Sequence, residues 1–359
     1  MPTHKIPKTD RFKGPAKYAE YLVARVLVSS LQRLPIRLAY RLGRGVGWLA
    51  WKMLKRRRAT VRKNLEVVNT WMLQRAEGGN LPVRHSSESD GGRPEGGAEH
   101  RTSNIEHRTP NKTEKPQVSG LKSQPSIDLD QQVKEVFLRS GTNLFAGFTF
   151  GRMSPEKAEK HIRIEGLEKL KAALTEGKGA IILLAHMGPW EALTQLPAMA
   201  RAHGIEAPFG AIYRPFNNDY LDEWFREERE GAGTRLFGSR YKFYAPVDFL
   251  RAGGMLGVLS DQRASGGERV DYFGLQTHVT PLPGLLHLRS KAPLFGLSIA
   301  TLGSAQWQIR LHRLPDPEIG ADQKAREVVA RTIARAMETV LAEEPLDGFW
   351  FTDRFKDVR

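Results

Sequence analysis

The chain contains no cysteine. Disulfide staples, thiolate metal sites and cysteine nucleophiles are therefore excluded, and the redox compartment is left open. Long apolar runs are equally scarce. Near the N-terminus, Arg25 and Arg33 enclose only Val26 to Gln32, far short of the roughly 18–20 apolar residues a spanning helix needs. The uncharged stretch Ala292–Ile309 is interrupted by Pro293, Gly296 and Gly303, which favours strands. No compact apolar core followed by a small-residue cleavage site occurs, so a cleavable signal peptide fits poorly. Acids are nearly missing from the first 63 positions, where Asp10 and Glu20 face 17 lysines and arginines. The net charge of the 359-residue chain is +15, so this arm carries the whole imbalance and predicts an anionic partner. With 40% hydrophobic and 26% charged residues, the composition is otherwise that of a globular protein.

What fills the arm is a mixture of cations and aliphatics. Arg25, Arg33, Arg37, Arg41 and Arg44 recur at helical spacings among Leu22, Val26, Leu27, Leu31, Leu34, Ile36 and Leu38. This pattern predicts one or two amphipathic helices in a membrane interface over residues 1–58, with Trp48 and Trp51 at headgroup depth and Arg56–Arg58 facing anionic lipid. Helices packed on a main domain with solvated arginines are the alternative. A nucleic-acid arm is disfavoured, because Leu and Val stand where stacking aromatics, Gly and Ser would be needed. A helical stretch at 59–75 follows. Residues 76–126 hold only seven hydrophobic residues and no aromatic, too little to offset ordering entropy, and read as a disordered insert.

Residues 127–359 read as an α/β domain. A helix is expected over Leu129–Phe150 and strands over Ala180–Ala185, Ala207–Ile212, Met255–Ser260, Leu294–Leu302 and Trp307–Leu311. Further helices are expected at Glu168–Glu176, Glu191–Ala202, Asp219–Glu230, Ala245–Arg251 and Lys324–Glu343. The run Ala180–Ala185 is wholly apolar, as in a strand buried on both faces. It leads into His186-Met187-Gly188-Pro189-Trp190-Glu191. A histidine at the carboxyl end of a buried strand lies where α/β sheets hold ligands. Gly188 permits a sharp turn, Pro189 suits a first helical position, and Glu191 in the first turn can fold back toward the imidazole. A carboxylate on one ring nitrogen makes the other a better general base, and free N–H groups of the helix start offer an oxyanion site. A satisfied strand-end histidine beside a helix-start charge is the alternative reading of the same residues.

With its apolar strand and Gly-Pro-Trp turn, the His186–Glu191 pair resembles the motif of the lysophospholipid acyltransferase superfamily, and within it the lipid A biosynthesis acyltransferase family. Tyr213-Arg214-Pro215 with Leu221-Asp222, Leu259-Ser260-Asp261-Gln262, Tyr272-Phe273-Gly274 with Thr280-Pro281, and Phe349 to Lys356 resemble later blocks of that family in order. Pro189 stands where the family usually has asparagine. The resemblance implies a glycerolipid-acyltransferase-like mixed sheet flanked by helices. It further implies acyl transfer from an acyl carrier protein thioester to a hydroxyl of a lipid A precursor or related glycolipid, at the cytoplasmic face of an inner membrane, without a cofactor. His186 is then the base and Glu191 its partner. Gly188, Trp190, Arg214, Asp261 and Gln262 are candidate substrate-binding residues, with Arg214 for phosphate, although a surface ion pair with Asp219 or Asp222 suits Arg214 equally. Strand-end capping is the plain alternative for Asp261 and Gln262. Arg289, Lys291 and Arg354 are lesser anion-site candidates. With no cysteine and no Gly-x-Ser-x-Gly elbow, direct transfer is expected rather than an acyl-enzyme. No metal is expected, since His186 and Glu191 have no third ligand nearby in sequence, with His278 and His287 as distant possibilities. An acyl-CoA-dependent glycolipid acyltransferase and a non-enzymatic basic membrane- or nucleic-acid-binding protein are the other readings.

Overall fold

The computed structural model describes residues 12–78, 128–238 and 243–356. Beyond residue 78, the stretch read as a disordered insert lies outside the described residues.

Four helices precede the sheet: α1 (Pro15–Leu31), α2 (Ile36–Met53), α3 (Lys55–Ala76) and α4 (Leu129–Phe150). Helix α2 packs on α4 at backbone distance. Ile36, Ala39, Gly43 and Gly47 form its buried face, and a Cβ at Gly43 or Gly47 would run into the carbonyls of Gly141 or Phe137. Only glycine allows so close an approach of two helices. The opposite flanks of α2 are exposed, and Leu38, Leu42, Val46, Leu49 and Met53 are all more than 40% accessible. No helix among the described residues is long and apolar enough to cross a membrane.

The chain then alternates strands and helices: α5 (Pro155–Ala158), β1 (Ile162–Glu165), α6 (Leu167–Thr175), β2 (Ala180–Leu184), a 3-10 helix (Trp190–Gln195), α7 (Leu196–Ala202), β3 (Phe209–Tyr213), α8 (Asp219–Gly231), β4 (Thr234–Gly238), α9 (Tyr244–Arg251) and β5 (Met255–Leu259). After these come the β6–β7 hairpin (Glu268–Tyr272 and Leu275–Val279), α10 (Leu282–Ser290), β8 (Leu294–Gly303), β9 (Gln306–Arg313) and α11 (Ala325–Glu343). A short 3-10 turn at Pro345–Asp347 opens the tail.

Seven strands form one sheet in the order β1-β9-β8-β2-β5-β3-β4. All neighbours are parallel except β8 and β9, which pair antiparallel. The architecture is a mixed, mostly parallel α/β sheet flanked by helices. Strand β2 is central, and all five of its residues are buried, which accounts for its unbroken apolar run. The separate hairpin seats on α11 through Glu338, whose Oε1 accepts a hydrogen bond from the Phe273 N–H at 2.5 Å. Burial pushes the Glu338 carboxyl up to about 7, against the lowering effect of that bond.

Candidate active site

Register decides which side chains meet. Strands β2 and β5 are parallel neighbours with Leu184 opposite Leu259, and the Ser260 N–H donates to the Leu184 carbonyl at 2.9 Å. Two residues beyond each strand end stand His186 and Asp261, side by side at the carboxyl edge of the sheet. His186 Nδ1 lies 2.7 Å from Asp261 Oδ1. The imidazole side chain is 22% exposed, whereas the carboxylate is fully buried. Burial opposes ionisation of Asp261, but the Arg354 guanidinium and the His186 ring hold its carboxyl well below the ordinary range. An ionised Asp261 accepts the Nδ1 proton, so the neutral ring presents its lone pair at Nε2.

The sequence reading sets Glu191 behind the imidazole, and here the structure differs. Glu191 turns to α8, where its Oε2 lies 3.2 Å from Arg229 Nη2. The Arg229 guanidinium in turn lies 5.5 Å from the ring centres of both Tyr213 and Phe225. The carboxylate bonded to Nδ1 comes from 75 residues downstream instead of five. The reason is local. The expected helix from Glu191 to Ala202 begins as the 3-10 helix, with the Trp190 and Ala192 amides bonded back to Gly188 and Pro189. That tight turn directs Glu191 toward α4 and α8, with its Cβ 3.0 Å from the position a Cβ on Gly147 would take. The short 3-10 start also spends the Trp190 and Ala192 amides within the turn, so neither is left for an oxyanion.

The other candidates divide. Trp190 packs edge-on to His186 and to Phe349, with ring centres 5.8 and 5.4 Å apart. Gly188 has φ 56°, and a Cβ there would come within 2.6 Å of Ile299 Cγ2, so glycine is required for the turn. Gln262 is exposed and brings Nε2 to 3.4 Å from His186 Nδ1, too long to displace Asp261. Arg214 is exposed just past the end of β3 and has no ion pair among the described residues. Asp222, one of its expected partners, accepts from the Tyr213 hydroxyl and from the Phe216 N–H. His287 is buried with Nδ1 on the Ala292 carbonyl, and no three His, Asp or Glu converge as a metal site among the described residues.

Sequence reading underweights the tail. The Phe349 N–H donates to the His186 carbonyl at 2.7 Å, the Gly188 N–H donates to the Asp347 carbonyl, and Met187 and Gly348 form a β-bridge. Arg354, read as a lesser anion-site candidate, is buried, with its side chain 1% exposed. Its Nη2 binds Asp261 Oδ2 at 2.6 Å and its Nη1 donates to the Asp261 carbonyl. Nearby in the tail, Asp347 accepts from Arg139 Nη1 (2.9 Å), Asn143 Nδ2 (2.9 Å) and the Thr301 N–H (2.8 Å). The only sequence signal for this assembly is the Phe349–Lys356 block, which gives no partner for any of its residues.

A parallel sheet whose carboxyl edge carries a carboxylate-bonded histidine after a strand–Gly-Pro-Trp turn defines a class of site suited to proton removal from a hydroxyl. Residues 6–73 and 125–357 match the family model of bacterial lipid A biosynthesis acyltransferases, and the chain belongs to that family. It is also similar to the phosphatidylinositol mannoside acyltransferase of Mycolicibacterium smegmatis (strain ATCC 700084 / mc(2)155), with 22% identity over 207 residues, 56% of this chain and 64% of the relative. The chain thus spans less than two thirds of that relative's length.

Proposed function

We propose that the protein transfers a fatty acyl group from a thioester donor, an acyl carrier protein, to a hydroxyl of a lipid A precursor or related glycolipid. The observation that carries this reading is the 2.7 Å bond between His186 Nδ1 and Asp261 at the sheet edge, within a chain of the lipid A acyltransferase family. His186 Nε2 takes the proton of the acceptor hydroxyl as its oxygen attacks the thioester carbonyl. The carbon–sulfur bond then breaks, the imidazolium returns the proton to the departing thiolate, and an ester and a free thiol result. Asp261 holds the ring and balances the imidazolium. Glu191 acts on Arg229, whose guanidinium suits an anionic group of either substrate.

The acceptor is a lipid, and the N-terminal helices fit a bilayer surface. On α2 an exposed stripe of Leu38, Leu42, Val46, Leu49 and Met53 runs along one side of the packed face. Arg37, Arg41, Arg44 and Lys52 form a second stripe on the other side. On α1, Leu22, Val23, Val26 and Leu27 are exposed in the same way. Such paired stripes suit the interface of an anionic membrane, apolar side chains inward and cations at the headgroups. This address is the cytoplasmic face of an inner membrane.

The name of the mycobacterial relative supports a second acceptor, a mannosylated inositol lipid. Mass spectrometry of glycolipids from cells with and without the gene distinguishes the two by which lipid gains one acyl group. A panel of carrier-protein and CoA thioesters identifies the donor. His186→Ala should lower turnover by about 100- to 10,000-fold with the fold retained. Near-normal transfer by that folded variant would falsify the reading.

A further inference from the structure

A guanidinium with almost no solvent access is an unusual neighbour for a proton-transfer pair. Arg354 reaches Asp261 with two nitrogens, Nη2 on the Oδ2 carboxylate oxygen and Nη1 on the main-chain carbonyl of the same residue. That grip fixes both the rotation of the carboxylate and the backbone beneath it, leaving Oδ1 aimed at the imidazole. The guanidinium is itself fixed. It lies 4.7 Å from the centre of the Trp350 ring and its Nη2 also donates to the Phe349 carbonyl at 3.2 Å, while the main-chain carbonyl of Arg354 accepts from Thr277 Oγ1 at 3.0 Å and holds the backbone. A surface anion site would have left the charge accessible.

Resting on the acyl-transfer reading above, we propose that Arg354 is a positioning residue, which acts through Asp261 to keep the His186 ring oriented and free of its second proton. Without Arg354 the proton-free pair would be a net anion buried in the protein; with it that state is neutral. Removing the cation therefore favours proton uptake by the pair, whichever member holds the proton, and moves the pH of release upward. The other groups facing the pair do not replace the cation. Gln262 is uncharged, Tyr272 of β6 is held protonated by burial, and Glu338 of α11, beyond Tyr272, contributes only negative charge.

The test uses the full chain with Arg354→Gln and Arg354→Lys. Its first readout needs no substrate: the rate of diethyl pyrocarbonate modification of His186, followed by peptide mass spectrometry across pH. In Arg354→Gln the midpoint of reactivity should rise by about one pH unit or more. In Arg354→Lys, which keeps the charge, it should stay near the wild-type position. In the thioester assay, Arg354→Gln should lower kcat by at least about tenfold with KM nearly unchanged, and the acid limb of the pH–rate profile should follow the chemical midpoint. An unmoved midpoint in a folded Arg354→Gln protein overturns the proposal and marks the arginine as a packing element alone. Should Arg354→Gln fail to fold by circular dichroism, Arg354→Lys decides. Wild-type kcat in that variant overturns the proposal, because an ammonium cannot reproduce the two-nitrogen grip, and a reduced kcat with an unmoved midpoint supports it. His186→Ala separates the two levels: if it transfers acyl groups normally the base assignment falls, whatever Arg354 does to the chemical midpoint.

Discussion

Arginine is used in opposite ways at the two ends of this molecule. In α2, Arg37 and Arg41 stand in solvent beside exposed leucines. Arg44 shares Glu135 at 3.2 Å in a pair open to water. In the tail, Arg354 is shut away from solvent and bonded to Asp261. Exposed pairs of the first kind contribute little to stability, typically about 0–1 kcal/mol. A buried ion pair stripped of one member leaves an uncompensated charge and costs about 3–5 kcal/mol. Arg37 and Arg41 are thus free to meet something outside the protein, while Arg229 and Arg354 are committed to Glu191 and Asp261 inside it. Total charge, which is set by the arm, says nothing about the site.

The sharpest way to break this contrast is at the buried end. Asp261→Asn keeps the shape of the side chain but no longer selects the ring tautomer, and kcat should fall by at least about 100-fold while the protein stays folded. Steady-state kinetics beside a thermal melt would check this, and an unimpaired variant would remove Asp261 from the reaction. Next, Asp347→Ala leaves Asn143 Nδ2 and the Thr301 N–H without their acceptor under the tail, while Arg139 keeps Glu344. We expect about 2–4 kcal/mol of destabilisation by urea unfolding, since each buried donor left unsatisfied costs about 1–3 kcal/mol. A loss below about 1 kcal/mol would place that network with the exposed pairs.

The open end is probed with vesicles. Leu42→Asp together with Leu49→Asp should reduce partition onto anionic vesicles by at least about tenfold, since each aliphatic side chain buried in the interface is worth about 1.5–3 kcal/mol. Binding in a sedimentation assay should also weaken with salt. Unchanged, salt-independent binding would argue that these stripes do not face lipid.

The smallest effect concerns Glu338. Its carboxyl holds a proton up to about 7 in the folded protein, compared with an ordinary value of 4.5. The folded state therefore binds more protons in this window. Stability contributed by the group is full below the ordinary value and declines as pH rises through about 7. Glu338→Gln keeps an acceptor for the Phe273 amide and removes that decline. Its melting temperature should exceed wild type at pH 8 by a few degrees and match it near pH 4.

How much of this was readable beforehand follows from how local each feature is. Strand β2 shows itself because both faces are buried, and α4 because Val133, Val136, Phe137, Ala146 and Phe150 keep a helical period along its buried face. The β6–β7 hairpin was readable too, although the sequence reading expects no strand there: in β6 the exposed Arg269 and Asp271 alternate with the buried Val270 and Tyr272, as in a half-buried strand. His186 was legible from its place after an apolar run. Its partner was not, since sequence proximity favours Glu191 while the parallel register of β2 and β5 delivers Asp261. Arg354 and Asp347 reach the site from the last turn of the chain's path, and no spacing rule connects them to His186. Pairings set by register escape a linear reading; those set by periodicity do not.

The bridge between Met187 and Gly348 has a consequence for how this tail can drift. Main-chain atoms make that bridge and the Phe349–His186 bond, although Gly348 has no room for a side chain, since a Cβ there would lie 2.7 Å from Trp350 Cε2. Replacements at Phe349 and Phe351 would leave those bonds in place, at the cost of packing against Trp190 and Phe137. Length is another matter. Inserting or deleting a single residue between Gly348 and Arg354 would carry the guanidinium past Asp261 even with every side chain preserved, so the tail should accept misspelling far more readily than a shifted reading.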